Sequence, residues 1–324
     1  MKKCHFLLIF LILIISGCAT LRPNNGGTDL RLPAVGSPNG IQLVFGPLPE
    51  SISESFPPTV QVDVINNAAC DVSGKLWLND VVAISQGGIE KPISRDLNEN
   101  NENRPLLGAV SERGKLVTDK KSFIFSKDTG VLGYRILDGF TQFDVDFTAT
   151  AVYKCNINAG PKLCIAKSSL YNNDCKQTET ITGSSNLRST VAPITITRVA
   201  KTYSSSSEGI RLDVEITFSK MSNGYITNTF ALEDPFTAQA LKEQDPIKVD
   251  VNFGTYPMVC GDGNRYYKDG YLNWKPEDRD KTITCSTTIS DSNERLDDYL
   301  NINLDFVYLI SEKSSKITIR SSQV

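Results

Sequence analysis

RLDVEITFS, residues 211–219, sets Leu212, Val214, Ile216 and Phe218 between Arg211, Asp213, Glu215 and Thr217. Apolar side chains at every second position describe a strand with one buried and one wet face. The same alternation runs through Val60, Val62 and Val64. It runs again through Phe143, Val145, Phe147, Ala149 and Ala151 to Tyr153. It returns at Ile247, Val249, Val251 and Phe253, at Ile302, Leu304, Phe306, Tyr308 and Ile310, and at Ile317 and Ile319. Sustained 3.6-residue periodicity is missing. One short helix is expected at 235–243, with Asp234 as N-cap and Pro235 as the first helical residue. The fold class expected is all-β, built from antiparallel sandwiches.

The two halves share a layout. IQLVF (41–45) leads through a polar loop into TVQVDVINN (59–67). ITITRV (194–199) leads through YSSSSEG (203–209) into RLDVEITFS. A short strand, a polar loop and a long alternating strand recur. This predicts two immunoglobulin-like antiparallel β-sandwich domains in tandem, at 41–158 and 193–324. A cysteine-bearing hinge would occupy 159–192.

The N-terminus reads as a targeting segment. Lys2 and Lys3 precede FLLIFLILII (6–15), a run too short for the roughly 20 residues that span a bilayer. A basic start, a short apolar run and the small residues Ser16 and Gly17 describe a secretory signal over 1–17. IISGC (14–18) resembles the lipobox of prokaryotic lipoproteins. That resemblance implies a diacylglyceryl group on the Cys18 thiol and cleavage just before it. More than one acyl chain, palmitate for instance, anchors stably where a single chain holds only marginally. Ala19 stands where an inner-membrane retention aspartate would, so the outer membrane is expected if the cell has two. Residues 18–40, rich in Pro, Gly and Asn, read as the lipidated cysteine and its flexible tether. The domains after it would face an extracytoplasmic, oxidising space.

With Cys4 removed and Cys18 lipidated, Cys70, Cys155, Cys164, Cys175, Cys260 and Cys285 remain. An even number in an exported chain reads as disulfides. Proximity favours Cys260 with Cys285 and Cys164 with Cys175, leaving Cys70 with Cys155. Counting by twos from Val64 and from Tyr153 points both of the last pair inward. The sequence alone does not fix the connectivity. Zinc is disfavoured, because no CxxC spacing occurs.

The 324 residues carry a net charge of −3, which argues against a nucleic-acid partner. The one histidine, His5, falls in the segment expected to be removed, so no histidine-based triad or metal site is expected. Without a base near a serine, without an SxxK string, and with acid pairs such as Asp297 with Asp298 or Glu277 with Asp278 adjacent in sequence, no catalytic residue stands out. The chain reads as a non-enzyme without a cofactor. DLNENNENR (96–104) offers Asp96, Glu99 and Glu102 to calcium but lacks the EF-hand spacing, and reads as a solvated loop. Tyr266, Tyr267, Tyr271 and Trp274 cluster between Cys260 and Cys285. They form the candidate binding surface, against the alternative that they pack on their own sandwich.

ESFPPTVQVDVINNAACDVSGKLWLND (54–80) resembles the opening of CARDB-like and other immunoglobulin-like surface modules, with a Phe-Pro turn and a long strand ending in Asn. VAPITITRVAK (191–201) is similar to the junction in anchored envelope proteins with tandem β-sandwiches. Those proteins are found in archaea and small-genome prokaryotes and have no assigned role. The resemblance implies an envelope interaction module that meets a protein or glycan partner. The alternative is a solute- or glycan-binding lipoprotein serving a transporter or wall enzyme.

Overall fold

The computed structural model describes residues 36–82, 86–98, 104–112, 115–167, 174–237, 247–261, 267–275, 277–290 and 294–322. The segment expected as a signal, Cys18 and most of the expected tether lie outside them, as do Glu99, Glu102 and Tyr266. Each long alternating segment forms a strand and buries its apolar set: Val60–Asn66, Phe147–Ala159, Gly209–Lys220, Ile247–Phe253 and Arg295–Lys313. The chain is all-β, with several sheets and none of them closed.

A ten-stranded sheet runs through the middle. Its main path passes from Tyr271–Leu272 to Ile247–Phe253, Arg295–Lys313, Phe147–Ala159, Ser73–Asp80 and Ile93–Asp96. Phe147–Ala159 pairs with Arg295–Lys313 from Thr148↔Lys313 to Ala159↔Ile302. Lys162–Ala166 continues along the same partner in unbroken register, from Lys162↔Tyr299 to Ala166↔Arg295. A strand of the first half and a strand of the second therefore form one long ribbon. The segment expected as a hinge supplies part of it.

Two smaller sheets cover the inner face. Ile41–Phe45, Val60–Asn66 and Asp119–Phe125 form one. Thr178–Thr182, Ile194–Ser206, Gly209–Lys220, Asp280–Ile289 and Val259–Cys260 form the other. Inward residues from all three sheets join one core, among them Val62, Tyr153, Val214, Leu304 and Tyr308. Residues 33–324 make one compact unit. The serine run expected as a loop is largely strand. Ser204, Ser205 and Ser206 pair with Arg211, Ile210 and Gly209, and the tight turn closes at Gly209, whose φ of 141° favours glycine.

All six cysteines after the tether are bridged: Cys70 to Cys155, Cys164 to Cys175 and Cys260 to Cys285. Counting by twos from Val64 does bring Cys70 inward: Asn66, Ala68 and Cys70 are buried while Asn67 and Ala69 are less so, even though the chain leaves the strand and bends at Ala68–Cys70. The buried Asn66 side chain holds that bend. Its Nδ2 donates to the carbonyls of Cys70, Leu106 and Leu107, and its Oδ1 accepts from the Ala68 N–H.

The expected helix at 235–243 falls mostly outside the described residues. At its start Asp234 accepts a hydrogen bond from the Phe236 N–H, as an N-terminal cap would. A short 3-10 turn, Thr229–Leu232, precedes it.

Candidate functional site

The outer face of the ten-stranded sheet changes character along its strands. At one end Trp77, Val152 and Val307 are buried with Ala231, and Leu232 and Leu309 pack on them. The segment from Thr227 to Phe236 covers this end, and the Phe236 ring meets Trp77 edge-on with centroids 6.0 Å apart. Past Thr227 the cover stops and the same face turns polar. An open cavity of about 700 Å³ lies there.

Strand register builds its floor. Asn156 stands opposite Asp305, Asp305 opposite Lys248, and Lys248 opposite Tyr271. Directly opposed residues in antiparallel strands point to the same face. The four side chains therefore form a row across four strands. A second row, two residues along, holds Ser73, Lys154, Val307 and Thr227. Asp71 lines the cavity at the end farthest from Tyr271, with its Oδ1 accepting from the Gly108 N–H.

Hydrogen bonding fixes part of the floor. Asn156 Nδ2 donates to Asp305 Oδ1. Lys154, Lys248 and Asp305 are exposed and, among the described residues, form no ion pair. Three lysines elsewhere are engaged, Lys120 with Asp63 at 2.6 Å, Lys281 with Asp278 at 2.7 Å and Lys201 with Glu179 at 3.0 Å, while exposed Lys115, Lys162 and Lys268 form no ion pair among the described residues either.

The pleat divides the aromatic cluster expected as a binding surface. Tyr271 is 42% exposed and lines the cavity. Its neighbour Leu272 points to the opposite face, into the core, and pairs with Tyr267. Tyr267 is half-buried, and burial, with Asp250 nearby, pushes its hydroxyl pKa up. Trp274 is 2% exposed, with its indole N–H donating to the Asp278 carbonyl at 3.0 Å. It is a core residue rather than part of a surface, so of Tyr267, Tyr271 and Trp274 only Tyr271 lines the open cavity.

The adjacent acids do not converge. Asp297 pairs with Arg295 at 2.7 Å, and Asp298 accepts from the Tyr299 N–H. Asp278 accepts from the Lys275 N–H and pairs with Lys281. Burial raises its pKa, but these bonds outweigh it and hold the carboxyl below the usual range. Asp96 accepts from the Asn98 N–H. Among the described residues, no group of three His, Cys, Asp or Glu side chains is placed to hold a metal ion.

The polar floor was missed in the sequence because it exists only in register. Lys154 and Asn156 are ordinary outward positions of one strand, and Asp305 and Lys248 lie about a hundred or more residues away.

No known protein family, curated protein or solved structure matches the chain. Fold and site together define a disulfide-braced all-β protein with an open polar groove among the described residues. Its three bridges suit an oxidising, extracytoplasmic location. Among the described residues no helix is long and apolar enough to cross a membrane.

Proposed function

We propose that this chain is an exported lipoprotein, anchored through Cys18, that acts as an interaction module of the cell envelope by binding rather than by catalysis. Its two related halves are immunoglobulin-like, CARDB-like sandwiches fused along one shared sheet. The observation that carries the reading is the groove beside Thr227, where exposed Lys154, Lys248 and Asp305, without ion pairs among the described residues, follow directly on the covered apolar end of the same face. The lipobox-like IISGC string supplies the attachment, and the three disulfides fit the compartment.

Cell fractionation tests the anchor. The wild-type chain should partition with membranes, and Cys18→Ala should move it to the soluble fraction. A Cys18→Ala chain that stays with membranes overturns the lipid anchor. A second reading, a solute- or glycan-binding lipoprotein, is favoured by Tyr271, which places one exposed aromatic ring at the end of a polar cavity.

A further inference from the structure

We infer that the groove is a saccharide site, taking an uncharged, hydroxyl-rich chain laid across the strands with one ring against Tyr271. The inference rests on the reading of this groove as the interaction surface and names the chemistry of its ligand.

The geometry sets the direction. Asn156, Asp305, Lys248 and Tyr271 occupy successive strands in one row. With strands about 4.8 Å apart, the row is about 15 Å long. It suits an extended ligand crossing the strands. A cavity of about 700 Å³ lies within the size range of small-molecule sites.

The charges set the class. Lys154 and Lys248 are balanced by Asp71 and Asp305, so the lining carries no net charge. A nucleic acid or an acidic peptide would gain no net attraction here. Donors and acceptors instead alternate along the floor: the Asn156 amide, the Asp305 carboxylate and the Lys248 ammonium. A hydroxyl group both donates and accepts, so a sugar can satisfy each in turn. An ionic ligand would leave half of them opposed.

The remaining features exclude a peptide strand and explain the aromatic. Strand addition needs a free sheet edge. The row from Asn156 to Tyr271 is a sheet face whose four strands are already paired on both sides. Tyr271 presents an exposed ring at one end of the row. The C–H face of a pyranose ring is apolar and covers such a ring, while its hydroxyls meet the polar floor.

The test is calorimetric titration of the full chain with three uncharged probes, chitotetraose, maltotetraose and mannotetraose, at low salt and at about 0.5 M salt. Saturable binding of at least one probe is expected, unchanged by salt. Tyr271→Ala and Asp305→Ala should each weaken it about tenfold or more, and Tyr271→Phe should retain it. Thermal unfolding checks that each variant is folded. Should Tyr271→Ala fail to fold, Lys154→Ala on the open floor carries the same comparison. Failure of all three probes overturns the inference, as does binding that both alanine variants leave intact. If the probes fail while Asp305→Lys still abolishes crosslinking of the chain to the envelope of intact cells, the saccharide class falls and the interaction-surface reading stands.

Discussion

Tyr134 donates its hydroxyl hydrogen to Asp80 Oδ2 across 2.6 Å, with both residues buried. The Ile89 N–H donates to the same oxygen at 3.1 Å, and among the described residues no group donates to Oδ1. Burial pushes the Asp80 carboxyl above its ordinary value of 3.8, and the Tyr134 and Ile89 hydrogen bonds offset only part of that rise. Burial, together with Asp80, also pushes the Tyr134 hydroxyl up, so Tyr134 stays a donor.

This pair makes stability depend on pH in a defined direction. A carboxyl whose folded pKa is raised holds its proton more tightly in the folded chain. Its contribution is full below 3.8 and is lost as pH rises through the folded value. Asp80→Asn has no proton to lose there. Wild type should therefore lose stability relative to Asp80→Asn between about pH 4 and pH 7, as measured by urea unfolding. An identical difference at the two pH values would refute the assignment.

The disulfides differ in what they constrain. Cys70–Cys155 closes a separation of 85 residues, and Cys164–Cys175 one of 11. In the loop-entropy account the longer loop contributes about 4–5 kcal/mol and the shorter about 3 kcal/mol. Replacing both cysteines of each pair with alanine should lower the urea midpoint more for the first than for the second. The reverse order would mean that native contacts, rather than the unfolded chain, set the cost.

Lys201 gives the shorter bridge a second support. Its side chain is fully buried, donates to the Cys164 carbonyl and pairs with Glu179 at 3.0 Å. Tyr203, two residues on along the same strand, donates to the Cys175 carbonyl at 2.7 Å. One strand thus holds both ends of the disulfide loop. Lys201→Met keeps the apolar stem and leaves the half-buried Cys164 carbonyl without this donor, at a cost of about 1 kcal/mol. Limited proteolysis should cut within 164–175 faster in the variant. Unchanged cutting would show that the disulfide alone holds the loop.

The strands were legible in the sequence and their partners were not. Alternation at Leu212, Val214, Ile216 and Phe218 depends only on which face is buried, and the structure buries that face. The pairing of Tyr153 with Tyr308 depends on a register across a sequence separation of 155, which no local pattern encodes. The same holds for the groove, where four outward polar residues become a site only once their strands are aligned. Cys70 lies inward where a count by twos puts it, but the Asn66 amide that bonds its carbonyl there belongs to the turn and is not shown by any such count.

Tyr271 and Trp274 stand three residues apart and should answer substitution in opposite ways. The Trp274 ring is packed in the core and its N–H is bonded to the Asp278 carbonyl, so Trp274→Ala removes a large buried ring and a hydrogen bond. That should cost about 3–5 kcal/mol. Tyr271 is 42% exposed at the cavity edge, so Tyr271→Ala should change stability by no more than about 0.5 kcal/mol. Chemical unfolding of the two variants separates a packing residue from a surface one. If Tyr271→Ala unfolds as readily as Trp274→Ala, the edge hairpin is itself part of the core and Tyr271 is not free to meet a ligand.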